Sequence, residues 1–116
     1  MSQSITLRQL CAKLEISRRT LQGYEKAGLV KASGRNKYGH LLYDEETQKT
    51  IAEIRLYQKM GFPVKQINTI RSQSSQLTVK QLEEKIIALN AEKQEIDSLI
   101  KEAQKLIQKI ESGENV

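Results

Sequence analysis

The sequence predicts a mainly α-helical chain: a winged helix-turn-helix over residues 1–71, a linker over 72–77, and a long helix over 78–112 built for coiled-coil pairing. Three observations predict it. Two short amphipathic segments near the start each open on a hydroxyl side chain suited to cap a helix. A basic stretch bracketed by glycines and short apolar runs follows them. The C-terminal third then carries apolar side chains at a sustained 3,4 spacing.

The first helix is announced by ITLRQL. Thr6, with Gln9 three residues on, makes a capping box, and Ile5 and Leu10 are spaced for a hydrophobic staple. Leu7, Leu10, Cys11 and Leu14 share one helical face. Cys11 is therefore expected in the core, with no basic neighbour to make its thiol reactive. After the break Glu15-Ile16-Ser17, Ser17 caps a second helix over Arg18–Lys26, stapled by Ile16 and Leu21 and stopped by Gly28. Two short helices joined by a tight turn describe a helix-turn-helix.

Leu29–Tyr43 reads LVKASGRNKYGHLLY. Gly34 and Gly39 bracket polar residues, so the stretch predicts a β-hairpin with Arg35, Lys37 and Tyr38 at its tip. A solvated surface loop is the alternative. Asp44 caps a third helix over Glu45–Met60, with Ile51, Ile54 and Tyr57 on its buried stripe and Gly61 at its end. Phe62-Pro63 turn the chain into a short fourth helix carrying Val64, Ile67 and Ile70. Ser72–Gln76, SQSSQ, reads as a polar linker.

In the tail, Thr78 and Gln81 form a second capping box, stapled by Leu77 and Leu82. A 3,4 spacing then runs through Val79, Leu82, Ile86, Leu89, Lys93, Ile96, Ile100, Ala103, Ile107 and Ile110. All but Lys93 are apolar. A repeat averaging 3.5 residues winds helices around each other left-handedly. So long a stripe needs a partner helix, most simply the same helix of a second chain. A bundle of more than two helices is the alternative. Lys93 interrupts the seam near its middle, where a polar residue costs stability and fixes register. Leu99 and Leu106 widen the apolar face in its second half.

Charge follows the same division. The 116 residues carry a net charge of +5, with a pI near 9.4, which suits an anionic partner such as nucleic acid or an anionic membrane surface. Residues 1–76 hold 13 basic and 6 acidic side chains, a net of +7, whereas residues 77–116 hold 6 and 8, a net of −2. The basic excess thus belongs to the helix-turn-helix half. One cysteine precludes an internal disulfide and fits a reducing cytoplasmic home. With a single histidine, His40, it also leaves no metal constellation, and no cofactor is expected. No apolar run approaches the ~20 residues that span a bilayer, and no signal-peptide pattern opens the chain.

The chemistry concentrates in ISRRTLQGYE, Ile16–Glu25. The first turns of a helix in the major groove reach base edges. Ser17, Arg18, Arg19, Thr20 and Gln22 occupy those turns. Arginine bridges guanine O6 and N7, and threonine and glutamine offer hydroxyl, methyl and amide contacts. Tyr24 is expected to rest its ring on the core and present its hydroxyl to a phosphate. Solvated charge is the bland reading of Arg18 and Arg19, but positive charge at a helix start is mildly unfavourable, and a nearby anion would relieve it. No catalytic triad, glycine-rich phosphate loop or paired-carboxylate site is present, so an enzyme is not expected.

Four pieces, ITLRQLCAKLEISRRTLQGYEKAGLV, YGHLLYDEE, MGFPVKQI and the long heptad tail, together resemble the MerR family of bacterial transcription regulators in order and spacing. The resemblance implies a winged-helix DNA-binding domain and a homodimer joined by an antiparallel coiled coil. It also implies binding to a pseudo-palindromic promoter element, with distortion of the duplex that helps or hinders RNA polymerase. Carried over, Arg18, Arg19 and Thr20 face the groove or adjacent phosphates, Tyr24 contacts phosphate, and Arg35, Tyr38, Gly39 and His40 form the wing tip. The chain departs from the family pattern at Gln22 and Gly23, where arginine and an aromatic are common, at Leu41, where the wing carries arginine, and at Pro63. The first two remove phosphate contacts. Gly23 also costs ~1 kcal/mol of helix stability relative to alanine, which a close approach of DNA or of another helix would explain. Only six residues follow Ile110, too few for the family's metal loop or a ligand domain, so no effector is assigned.

Two other readings compete. An architectural or recombination-accessory DNA-binding protein would share the fold and bind bent or AT-rich DNA loosely. A coiled-coil interaction module would leave the basic half merely solvated, against which the charge asymmetry argues.

Overall fold

A computed structural model describes residues 3–113. The elements run β1 (Ile5–Thr6), α1 (Leu7–Leu14), α2 (Arg18–Lys26), β2 (Gly34–Arg35), β3 (Leu41–Tyr43), α3 (Glu45–Lys59), α4 (Val64–Ser72) and α5 (Ser75–Glu111). The chain divides into two units between Gln73 and Ser74.

In the first unit the expected capping box closes α1. Thr6 N–H donates to Gln9 Oε1 at 2.9 Å, and Gln9 N–H donates to Thr6 Oγ1 at 3.3 Å. The helix ends on Glu15, whose φ of 54° is left-handed, and Ile16 N–H closes the turn on the Cys11 carbonyl at 3.1 Å. That reversal brings Ile16 and Leu21 inward, where both are buried. Ser17 Oγ caps α2 by accepting from Thr20 N–H at 3.0 Å, and Asp44 Oδ1 caps α3 by accepting from Thr47 N–H at 2.8 Å. Pro63 stands at the N-cap of α4, where its missing N–H leaves no bond unmade.

The hairpin forms as a wing. β2 and β3 pair antiparallel, Arg35 opposite Leu41 and Gly34 opposite Leu42. A further strand, not foreseen, lies on the other side: β1 pairs antiparallel with β3, Ile5 opposite Tyr43, giving the order β1-β3-β2. Thr6 thus ends a strand and caps a helix at once.

The core is aliphatic around two tyrosines. Leu10, Ile16, Leu21, Tyr24, Leu29, Tyr43, Ile51, Ile54, Phe62, Ile67 and Ile70 are buried. Cys11 is only half-buried, short of the enclosed position expected. Tyr57 is half-buried and meets Phe62 edge-on at 5.7 Å. Gln48 is buried but satisfied: its amide donates to the carbonyls of Gln3 and Tyr43, and its oxygen accepts from Lys13 Nζ at 2.8 Å.

The second unit is α5, 37 residues and ~55 Å long at ~1.5 Å per residue. It begins earlier than expected. Ser74, not Thr78, is its N-cap, and Leu77 N–H donates to Ser74 Oγ at 3.3 Å. Thr78 lies inside the helix, its hydroxyl turned back on the Ser74 carbonyl. Both residues suit a cap, and the earlier one wins because it adds a turn of helical hydrogen bonds. With α4 reaching Ser72, the expected 72–77 linker shrinks to Gln73 and Ser74.

Candidate nucleic-acid interface

The sequence of α2 sorts its side chains by helical spacing. Leu21 and Tyr24, three apart, turn inward, while Arg18, Arg19, Gln22 and Gly23 stay exposed. Ser17 is exposed and Thr20 half-buried, and their hydroxyls lie 2.9 Å apart, hydrogen-bonded to each other. No acidic residue occupies the first turn. The exposed start of the helix is therefore two unneutralised guanidinium groups beside a self-paired hydroxyl couple.

Tyr24 departs from expectation. It is 1% exposed, and its hydroxyl donates to Gln58 Oε1 of α3 at 2.6 Å. Arg55 Nη1 donates to the same oxygen at 3.2 Å. Burial raises the Tyr24 pKa, and the nearby Arg55 charge partly offsets that rise. Its hydroxyl thus links α2 to α3 in the free protein. The inward spacing from Leu21 decides this, and Gln58, 34 residues away in sequence, completes it.

The wing tip is organised by Asn36, which sequence reasoning passed over. Its Oδ1 accepts from the N–H groups of Tyr38 at 2.9 Å and His40 at 3.0 Å. Its backbone also pairs with His40 and Gly39. An asparagine three residues before Gly39, at the turn's first position, was the available signal, since its side chain mimics a turn backbone. Gly39 supplies the turn's positive φ of 82°. Arg35 Nη1 donates to the Gly39 carbonyl at 2.7 Å, which holds the guanidinium along the loop. Lys37, Tyr38 and His40 are exposed, with the Lys37 ammonium 5.1 Å from the Tyr38 ring centre.

Behind this tip, β3 is fastened to α2. The Tyr43 hydroxyl donates to Glu25 Oε1 at 2.8 Å. Burial and that carboxylate push the tyrosine's pKa well above its ordinary value, so it stays protonated and donating. The wing and the start of α2 thereby flank a cleft of about 490 Å³, into which Arg18, Arg35, His40 and Leu41 project their surfaces together with Arg8 of α1. Of the ten residues singled out for DNA, the cleft gathers three: Arg18, Arg35 and His40. No acidic side chain lines it.

No group of three or more His, Cys, Asp or Glu that could hold a metal occurs among the described residues. No helix among them is long and apolar enough to cross a membrane. An added Cβ at Gly23 would meet nothing within 4 Å, so no other helix of the chain accounts for that glycine.

Comparison with known proteins agrees with this architecture. An HTH-type transcriptional regulator of Synechocystis sp. is 31% identical over 108 residues, covering 91% of this chain and 77% of its own. The nodulation protein NolA of Bradyrhizobium sp. is 33% identical over 70 residues, and the chain spans only about 30% of that protein's length. Among solved structures, a MerR-family transcriptional regulator from Bacillus cereus superposes with a TM-score of 0.74 at 21% identity, over 98% of this chain and 87% of that one. HiNmlR, described as a MerR family regulator lacking the sensor domain and bound to promoter DNA, superposes with a TM-score of 0.53 at 20% identity, over 91% and 80%. The family profile of MerR HTH regulatory proteins matches residues 5–74, more than half of the chain, and the protein belongs to that family of non-enzymatic transcription regulators.

Proposed function

We propose that the protein is a homodimeric transcription regulator that binds a pseudo-palindromic promoter element and distorts it, with RNA polymerase as the machine whose access it changes. The observation that carries this reading is the exposed arginine pair at the start of α2, set beside a basic wing with no carboxylate between them. Ser17, Arg18, Arg19, Thr20 and Gln22 read or flank the major groove, and Arg35, Lys37, Tyr38 and His40 lie along the adjoining backbone. Promoter DNA in the HiNmlR structure supports the same use of a related fold. As a bacterial regulator it acts in the cytoplasm. No effector is assigned.

The seam of α5 supports the dimer. None of its residues is buried within the chain, and Val79, Ile86, Leu89, Ile96, Ile100, Ile107 and Ile110 are exposed. Exposed isoleucines at heptad spacing call for a second copy. An antiparallel pair centred between Gln94 and Glu95 sets Val79 against Ile110, Leu82 against Ile107, Ile86 against Ala103, Leu89 against Ile100, and Lys93 against Ile96 of the partner subunit. Every seam residue then has an opposite number. A parallel pair would instead oppose Lys93 to Lys93, like charge to like charge.

Selection of preferred duplexes from a random pool tests the reading. An inverted repeat is expected, bound with an affinity that falls ~10³–10⁵-fold between 50 and 200 mM salt for ~6–10 phosphate contacts. Loose preference for bent or AT-rich DNA would point to an architectural protein. A flat salt response, or no duplex binding at low salt, would overturn the reading.

A further inference from the structure

We propose that Arg8, on α1 rather than on α2 or the wing, anchors a DNA backbone phosphodiester in the cleft it shares with Arg18 and Arg35. The proposal rests on the DNA-binding reading above and adds a contact that neither helix-turn-helix spacing nor the wing motif points to.

Three features of the cleft carry it. Its volume, about 490 Å³, leaves room for a phosphate and its flanking sugars, and it is open to solvent along the exposed surface. Three guanidinium groups from three separate elements, α1, α2 and β2, line it, with His40 beside them and no carboxylate to neutralise them. Neither Arg8 nor Arg18 makes a hydrogen bond or ion pair among the described residues. Arg35 spends one Nη on the Gly39 carbonyl and keeps its other donors.

Such convergence is electrostatically costly in the free protein. Arg8 and Arg18 also stand in the first turns of α1 and α2, neither of which has an acidic residue there, so each guanidinium faces the positive end of its own helix. One anion in the cleft relieves the mutual repulsion and both helix-end conflicts together. A phosphodiester fits the arginine fork with two parallel N–H···O bonds. Its continuity with a strand running past α2 and the wing distinguishes it from a free anion, which nothing would hold against competing salt.

The test uses the full-length chain and the duplex recovered by selection, beside an unrelated duplex of equal length. Arg8→Gln should weaken both about equally, by about 10-fold, because a phosphate contact carries no base information. The slope of log affinity against log salt should fall by about 0.9 per chain, or about 1.8 for a dimer. Arg8→Lys should keep the salt slope while losing part of the affinity, since it retains charge without the fork. Leu41 lines the same cleft, so Arg8→Gln combined with Leu41→Arg should recover the slope. An unchanged slope in a folded Arg8→Gln protein, with circular dichroism matching wild type, overturns the anchor while leaving DNA binding intact. Saturation of the cleft by micromolar inorganic phosphate, seen as perturbed Arg8 side-chain resonances with no change in duplex affinity, overturns it in favour of a free-anion site. If the wild-type chain binds neither duplex at low salt, the underlying reading falls and the anchor with it.

Discussion

Gly23 sits exposed in the middle of α2, with open space where a Cβ would stand. Nothing in the free protein requires a glycine there. Gly23→Ala should therefore raise unfolding free energy by ~1 kcal/mol, measured by urea denaturation. If duplex affinity drops more than tenfold in the same variant, the glycine is there to let DNA backbone approach. Asp44 gives a pH prediction. The Thr47 backbone N–H, reinforced by the Thr47 hydroxyl, holds its carboxyl below the ordinary value of 3.8. Stability from the ionised cap is present above that value and is lost as pH falls through the lower, folded one. Asp44→Asn keeps the cap but should be flatter than wild type in melting temperature below about pH 4, with little difference at pH 7. At this scale the sequence was uneven. The inward turn of Leu21 followed from its staple with Ile16, but the fate of the Tyr24 hydroxyl depended on Gln58 and Arg55, on the next helix. Arg8 went unnoticed for a similar reason: only the fold brings it beside a loop some thirty residues on.

Among the elements, those with local punctuation were legible. Asp44 and Gly61 bound α3, Ser17 bounds α2, and the paired glycines mark the wing, because caps and turns are short-range chemistry. β1 was not, since two residues carry no alternation and owe their strand state to Tyr43 and Leu42 across the sheet. The start of α5 was misplaced because Ser74 and Thr78 both suit a cap, and spacing alone does not rank them. The heptads of α5 yield two further expectations. Ile100→Asp places a carboxylate opposite Leu89 in the antiparallel register. It should convert the dimer to monomer in sedimentation at micromolar concentration and weaken duplex binding in parallel. Lys93→Leu should do the reverse to stability, raising the melting temperature while allowing mixed orientations or larger assemblies, visible as heterogeneous mass in light scattering. A single homogeneous dimer of unchanged melting temperature would show that Lys93 has no part in setting the register.

For the whole molecule, the division of charge that composition showed coincides with the division of fold. The positive excess belongs to the winged unit, and the slightly negative remainder to the helix that asks for a mate. Within the winged unit, Tyr43 stands where several constraints meet. It belongs to the middle strand, pairs with Ile5 on one side, gives its carbonyl to Gln48 of α3 and its hydroxyl to Glu25 of α2. The hairpin is therefore joined to the arginine-bearing helix through that hydroxyl. Tip and helix are thus fastened to each other by one buried phenol, and a duplex bound as proposed would meet them as a single surface.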